Sequence, residues 1–92
     1  MLFMIIETFR NANATAIGER FREKGRMLPE GVTCHVSWVD RKRMRCFQIM
    51  KASNREAIEE WTNRWRDLVD FEVIPVQTSD EFWAEADPTE RK

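Results

Sequence analysis

The chain has 92 residues, of which 42% are hydrophobic and 11% aromatic, enough for one packed domain and too short for two. Its 15 basic and 16 acidic residues give a formal net charge of −1, without the positive excess typical of proteins that bind nucleic acids or anionic membranes. The apolar N-terminal run is too short for a signal peptide, and no stretch approaches the roughly 20 apolar residues of a membrane span. We therefore expect a cytoplasmic protein with no nucleic-acid or membrane partner.

The spacing of apolar residues predicts strands and helices in the order β-α-β-β-α-β. They cover residues 2–9, 14–26, 32–39, 45–51, 53–69 and 71–77. The first strand is apolar at both alternating sets of positions until Glu7, as in a central strand covered on two faces. The second strand alternates, and the last contains Pro75, which cannot donate to a neighbouring strand, so both are predicted at edges.

The helices carry recognisable start and stop signals. Asn11 or Asn13 is placed to cap the first helix, and Gly25 to end it. A capping box that begins at Ser53 predicts the start of the second helix. The stretch Thr78-Ser79-Asp80-Glu81 is a candidate cap for a short third helix that carries Phe82 and Trp83.

Right-handed crossovers place the first and third strands at the centre of the sheet, in the order 4-1-3-2. The fold class is therefore α+β, a ferredoxin-like βαββαβ sandwich with an antiparallel four-stranded sheet and two helices on one face. We predict one domain over 1–86 and a flexible polar tail over 87–92.

The register of the second and third strands pairs Val36 with Ile49 and Trp38 with Phe47 across a hairpin loop, 41–44. We assign these four side chains to the helix-covered core. The other sheet face then also holds apolar side chains. Its candidates are alternate residues of the first strand, Met50, and either Phe71 with Val73 or Ile74 with Val76. So apolar a face seldom stays exposed, which predicts a homodimer that pairs sheet to sheet across a two-fold axis.

The two cysteines are predicted to remain reduced. The register places Cys46 beside Val39 and Cys34 beside Lys51, too far apart for a disulfide. No glycine-rich phosphate loop, metal-ligand spacing or nucleophile motif occurs, so the sequence predicts no cofactor and no metal.

The basic turn from Arg41 to Arg45 is interpreted as a solvated hairpin tip. RNA-recognition domains share this strand order, but their third strand carries a glycine and several aromatics. Here that strand has no glycine and one aromatic, Phe47, which we assign to the core.

Glu7 and His35 are the weak candidates for a catalytic acid or base. A carboxylate on a central strand is costly unless paired, and its possible partners are Arg10, Arg45, His35 and Gln48. We favour a structural salt bridge over a perturbed acid or base. His35 lacks a placed partner, which favours an ordinary edge-strand residue over a proton shuttle.

The four tryptophans divide into two groups. Trp61 and Trp65 have helical spacing on an apolar face and are predicted to be core. Trp38 and Trp83 are candidates for lining a ligand pocket or covering a dimer seam, with the seam favoured.

The segments MLFMIIETF, RFREKGRMLPEGV, VSWVD and DLVDFEVIPVQTSDEFW cover nearly the whole chain. In these segments the chain resembles a family of short bacterial proteins catalogued as domain of unknown function 3303. The resemblance implies the dimeric α/β-barrel type of ferredoxin-like fold and implies no activity.

The leading hypothesis is a homodimer with a pocket for a small hydrophobic ligand on the sheet face that the helices leave bare. Its candidate lining residues are Glu7, His35, Ser37, Gln48, Trp38 and Trp83. The alternatives are a small cofactorless enzyme, monooxygenase-like or isomerase-like, that uses His35 or Glu7, and a purely structural or partner-binding dimer.

Overall fold

The computed structural model describes residues 1–85, which form an antiparallel four-stranded sheet and three α-helices. In chain order the elements are β1 (Leu2–Phe9), α1 (Ala14–Lys24), β2 (Thr33–Asp40), β3 (Arg45–Lys51), α2 (Arg55–Asn63), β4 (Val69–Val76) and α3 (Ser79–Glu85). The strands follow one another across the sheet as β2-β3-β1-β4, which confirms the predicted order and α+β class. The proposed boundary at 86 and the tail, 87–92, lie outside the described residues.

The central position of β1 explains its apolar sequence. It pairs with β3 on one side and with β4 on the other. Most of its helix-facing side chains are buried, and most of those on the opposite face are half-buried. Phe3 and Ile5 are fully buried beneath the helices, whereas Met4 and Ile6 on the other face are half-buried. Pro75 lies in the edge strand β4, as predicted, where a missing backbone donor costs no ladder hydrogen bond.

Helix α1 starts and stops on local signals. The Asn13 side chain accepts a hydrogen bond from the backbone N–H of Ala16 at 3.1 Å, which confirms the predicted cap. The helix ends at Lys24 because Gly25 adopts a positive φ of 66°, a conformation that favours glycine. It is therefore two residues shorter than the predicted range, which ended at 26.

Helix α2 differs from its prediction at both ends. Asn54, not Ser53, is the cap, since its side chain accepts from the N–H of Ala57 at 2.9 Å. The helix has 9 residues. In the turns that follow, the hydrogen bonds join residues three apart rather than four, as in the bond from the Trp65 N–H to the Thr62 carbonyl at 3.0 Å. The apolar spacing that predicted a longer helix continues through these turns.

Two tryptophans anchor α2 to the sheet. Trp61 and Trp65 are 2% and 5% exposed and pack in the core with Phe3, Ile5 and other buried side chains. Both indole N–H groups donate to one acceptor, the backbone carbonyl of Arg26, at 2.9 Å each. The core assignment of this pair is confirmed.

The predicted faces of β2 and β3 are wrong, although the register is right. Val36 pairs with Ile49 and Trp38 with Phe47 as expected, but all four lie on the face turned away from the helices, here called the outer face. Trp38 is 62% exposed. Met50 instead pairs with the core residue Phe3 and is fully buried under the helices. Apolarity could not distinguish the faces because both are apolar.

A bulge at His35 shifts the start of β2. The register skips from Cys34 to Val36, so Cys34 lies opposite Met50 rather than Lys51. Cys46 lies opposite Val39, as predicted, and both cysteines are free thiols.

Helix α3 follows the edge strand β4, and all of its residues are exposed. Thr78 and Glu81 exchange hydrogen bonds in a capping box: the Thr78 hydroxyl accepts from the Glu81 N–H at 3.1 Å, and the Glu81 carboxylate accepts from the Thr78 N–H at 3.2 Å. Phe82 and Trp83 contact each other edge to face at 5.0 Å and remain 51% and 48% exposed. None of the three helices within residues 1–85 has the length and apolar composition of a membrane span.

Candidate functional site

Glu7 is a carboxyl group buried between the sheet and the helices. It lies on β1 two residues beyond Ile5, on the same helix-facing side, and is 7% exposed. The Gln48 amide on neighbouring β3 donates a hydrogen bond to its carboxylate. Burial raises the pKa of Glu7 from 4.5 to about 7, against the opposing effects of the Gln48 hydrogen bond and the positive charge of Arg26. This side chain is therefore poised to change protonation near neutral pH.

Gln48 is the centre of a small polar network on the same face. Its side-chain oxygen accepts from the Arg26 guanidinium and from the Cys34 thiol, at 3.4 Å each. Beside it, the Ser37 hydroxyl and the Cys46 thiol lie 3.4 Å apart. Burial raises the pKa of the Cys46 thiol, which keeps it protonated and unreactive at neutral pH.

These polar groups form one wall of a cavity of about 170 Å³. The other walls are mostly apolar and come from β1, α1, the edge of β2 and α2. The lining residues are Glu7, Phe9, Ile17, Phe21, Arg26, Ser37, Val39, Cys46, Gln48, Trp61 and Trp65. Phe21, Ser37 and Val39 are exposed and border its mouth. A mainly apolar cavity with a few convergent polar groups is the usual form of a small-molecule site.

Three of the six predicted pocket residues meet in this cavity: Glu7, Ser37 and Gln48. They lie under the helices rather than on the outer face, because the face assignment of β3 was wrong. The other three lie elsewhere: His35 is exposed at the β2 bulge, Trp38 is on the outer face, and Trp83 is on α3.

The structural salt bridge predicted for Glu7 is also absent within residues 1–85. Its partner is the neutral Gln48 amide, and Arg26 acts on it only through its charge. A hydrogen bond to an amide compensates burial less than an ion pair does, which explains why its pKa stays raised.

Sequence reasoning missed Arg26 and the aromatic wall of the cavity. Arg26 follows the helix end at Gly25, and nothing in the local sequence shows that this turn folds back over the sheet. Ile17 and Phe21 lie about one turn apart on α1, but this spacing does not show that a gap lies beneath them. A cavity is a property of packing distances, which periodicity does not encode.

One ground for excluding RNA was also wrong, since Phe47 lies on the outer face beside Trp38 and not in the core. The other ground still holds, because the third strand lacks the glycine and the additional aromatic residues of the RNA-recognition pattern. Within residues 1–85 no three histidine, cysteine, aspartate or glutamate side chains converge as a metal site would require.

The strand order and the layer of helices on one face define an α+β domain of the ferredoxin-like type. Residues 1–88 match a family model described as Domain of unknown function (DUF3303), so the chain belongs to that family. Comparison with curated proteins and with solved structures yielded no match.

Proposed function

We propose that this domain binds a small, mainly apolar molecule in the Glu7 cavity, with the Glu7 carboxyl group as its polar anchor. The observation that carries the proposal is a buried carboxyl group in the polar wall of a mainly apolar cavity of about 170 Å³. Apolar cavities of about 150 Å³ are known to admit benzene, so the ligand has roughly the size of one aromatic ring.

The lining indicates which polar group the ligand carries. Glu7 in its ionised form only accepts hydrogen bonds, and Gln48 supplies one donor to it already. A ligand hydroxyl would satisfy a second lone pair of the carboxylate while its ring contacts the indoles of Trp61 and Trp65. Phenol is therefore a suitable probe, and benzene is its matched apolar control.

Phenol is expected to cause saturable shifts of the backbone amide signals of Glu7, Cys46 and Gln48 in ¹⁵N–¹H correlation spectra at pH 8. Glu7→Gln should weaken phenol binding about tenfold, since a hydrogen bond to a charged group contributes about 1.5–3 kcal/mol. Benzene binding should change much less. Glu19→Gln, which makes the same exchange on the exposed side of α1, is the control. Shifts that never saturate, or equal losses in both variants, would contradict the proposal.

The raised pKa of Glu7 also favours the second candidate, a cofactorless enzyme with Glu7 as acid or base. A group that is half-protonated near pH 7 is well suited to proton transfer. His35 is exposed and does not line the cavity, so it cannot share that role there. An added cyclic enone tests this candidate. Its isomerisation, in which Glu7 would take a proton from one ring carbon and return it to another, would alter the ligand's own proton spectrum and should stop in Glu7→Gln.

We further propose that the outer face pairs with that of a second copy, in the dimeric α/β-barrel arrangement. The face is a continuous apolar surface that no described helix covers. Its apolar members are Leu2, Met4, Ile6, Val36, Trp38, Phe47, Ile49, Ile74 and Val76. An exposed apolar area that spans four strands is typical of an interface.

The charges at the two sides of the outer face support a second copy as its occupant. Asp70 and Glu72 lie along the β4 edge. The β2–β3 edge carries Arg45, its ion-pair partner Asp40 at 3.4 Å and the basic hairpin turn, 41–43, and is net positive. A two-fold axis parallel to the strands sets the β4 edge of each protomer over the β2–β3 edge of its partner. Opposite charges then meet on both sides of the apolar centre, which makes the face self-complementary.

Sedimentation at 100 μM should give twice the 11.0 kDa mass of one chain. Ile49→Lys, in the middle of the outer face, is expected to give a monomer that stays folded, because a charge there is tolerated in water but not in an apolar interface. Glu19→Lys adds a lysine on α1 and should leave the dimer intact. A wild-type chain that sediments as a monomer would rule out this arrangement.

A further inference from the structure

A second concave site lies at the opposite side of the helical layer, between α2 and the edge strand β4. It has a volume of about 540 Å³ and shares no lining residue with the Glu7 cavity. Its floor is apolar and is formed by the helix-facing side chains of β4, namely Val69, Phe71 and Val73. We call it the arginine cleft because of the residues at its rim.

Three guanidinium groups reach this rim from separate elements. Arg10 comes from the turn after β1, Arg55 from the first residue of α2, and Arg66 from the turns after α2. Residues far apart in sequence thus converge on one opening. A run of surface charge on a single helix would not produce this convergence.

Two carboxylates, Glu59 and Asp70, also line the cleft, but they hold the arginines loosely. Arg10 pairs with Asp70 at 3.0 Å and Arg55 with Glu59 at 3.6 Å, and every one of these side chains is at least 45% exposed. Exposed ion pairs contribute little stability, so a competing anion can displace them at small cost.

Arg66 is the least neutralised member of the rim. Its guanidinium donates to the hydroxyl of Thr62 at 3.3 Å, and no carboxylate within residues 1–85 lies within ion-pair distance of it. Thr62 is 2% exposed and donates its own proton to the Glu59 carbonyl at 3.0 Å. The hydroxyl therefore fixes Arg66 against the cleft wall without neutralising its charge.

We propose that the arginine cleft binds a small organic anion whose oxyanion, a carboxylate or a phosphate, is attached to an apolar ring. The guanidinium fork matches the geometry of both oxyanions, and the ring would lie on Phe71 and Val73. The apolar floor disfavours inorganic phosphate alone. This site is independent of the Glu7 cavity, because the two share no lining residue and the three arginines of the cleft outnumber its two carboxylates.

The test uses the full chain and ¹⁵N–¹H spectra recorded with phenyl phosphate and, separately, benzoate. Saturable shifts are expected for the amides of Thr62, Asn63, Arg66 and Phe71, with little change at Glu7. Inorganic phosphate should bind at least tenfold more weakly, and raising the salt concentration should weaken both organic anions. Whichever of the two binds more tightly identifies the oxyanion.

Arg66→Gln and Arg55→Gln are each expected to reduce the affinity for the tighter anion about tenfold. Arg22→Gln removes the same charge from the exposed side of α1 and should have no effect. Two variants are used because Arg66 also contacts Thr62, and Arg55 tests the cleft if the first variant is poorly folded. Equal losses in Arg22→Gln, absence of saturation at 10 mM anion, or shifts centred on the Glu7 cavity would each overturn the proposal.

Discussion

Replacing Trp61 with alanine is expected to lower the free energy of unfolding by about 3–5 kcal/mol. The indole is 2% exposed, contacts the Phe71 ring edge to face at 5.4 Å and donates to the Arg26 carbonyl. Its removal leaves a large void between α2 and the sheet. Small domains have about 5–15 kcal/mol of net stability, so this single change removes a large share of it.

Urea unfolding followed by circular dichroism measures this loss, with Trp83→Ala as the matched control. Trp83 is 48% exposed on α3, and its removal should change stability by less than about 0.5 kcal/mol. Trp61→Phe keeps most of the buried area but loses the indole donor, and we expect a cost between the two. Similar unfolding midpoints for Trp61→Ala and Trp83→Ala would show that α2 is not anchored through this residue.

Stability is expected to fall by about 2–3 kcal/mol between pH 5 and pH 8 through Glu7 alone. The pKa of Glu7 is about 7 in the folded chain, against 4.5 for an unperturbed carboxyl. Between these values the folded state binds more protons than the unfolded state, so raising the pH favours unfolding. The loss begins near pH 4.5 and is nearly complete above pH 7.

Glu7→Gln should remove this slope, because glutamine does not titrate and its side-chain oxygen can still accept from Gln48. The variant is therefore expected to be more stable than the wild type at pH 8 and nearly equal to it at pH 5. Glu19→Gln on the exposed side of α1 should retain the wild-type slope. Urea unfolding at pH 5, 6, 7 and 8 compares the three proteins, and parallel slopes for Glu7→Gln and wild type would contradict the assignment.

The strand order could be predicted from sequence because edge and central strands carry different patterns. β1 is apolar at successive positions and β4 contains Pro75, so topology and pattern agreed independently. The hairpin register was also predictable, because pairing Val36 with Ile49 and Trp38 with Phe47 aligns apolar side chains and leaves a short loop between the strands.

The orientation of β2 and β3 could not be predicted in this way. When only one face of a sheet is apolar, the pattern shows which face is buried. Here both faces are apolar, and Gln48, which lies on the buried face, was assigned to the pocket on the face that the helices leave bare. Gln48 is tolerated there because Glu7 lies beside it on β1. Two polar residues that satisfy each other across strands are invisible to periodicity, which considers one strand at a time.

The site was only half predictable for a related reason. Glu7 was identified because a carboxyl on a central strand needs an explanation, and Gln48 was among its possible partners. Arg26 completes the polar group from a turn whose path depends on Gly25 and on the tryptophans of α2. The arginine cleft likewise depends on three segments that meet only in the folded chain.

Arg26 contacts Trp61 and Trp65 through its backbone carbonyl, while its side chain lines the Glu7 cavity. Both tryptophan indoles donate to the backbone carbonyl of Arg26, and every amino acid supplies that carbonyl. The charge beside Glu7 can therefore be exchanged, removed or reversed at this position without loosening the helix. A substitution at residue 26 would therefore change the charge that lines the Glu7 cavity while the framework around the cavity is unchanged.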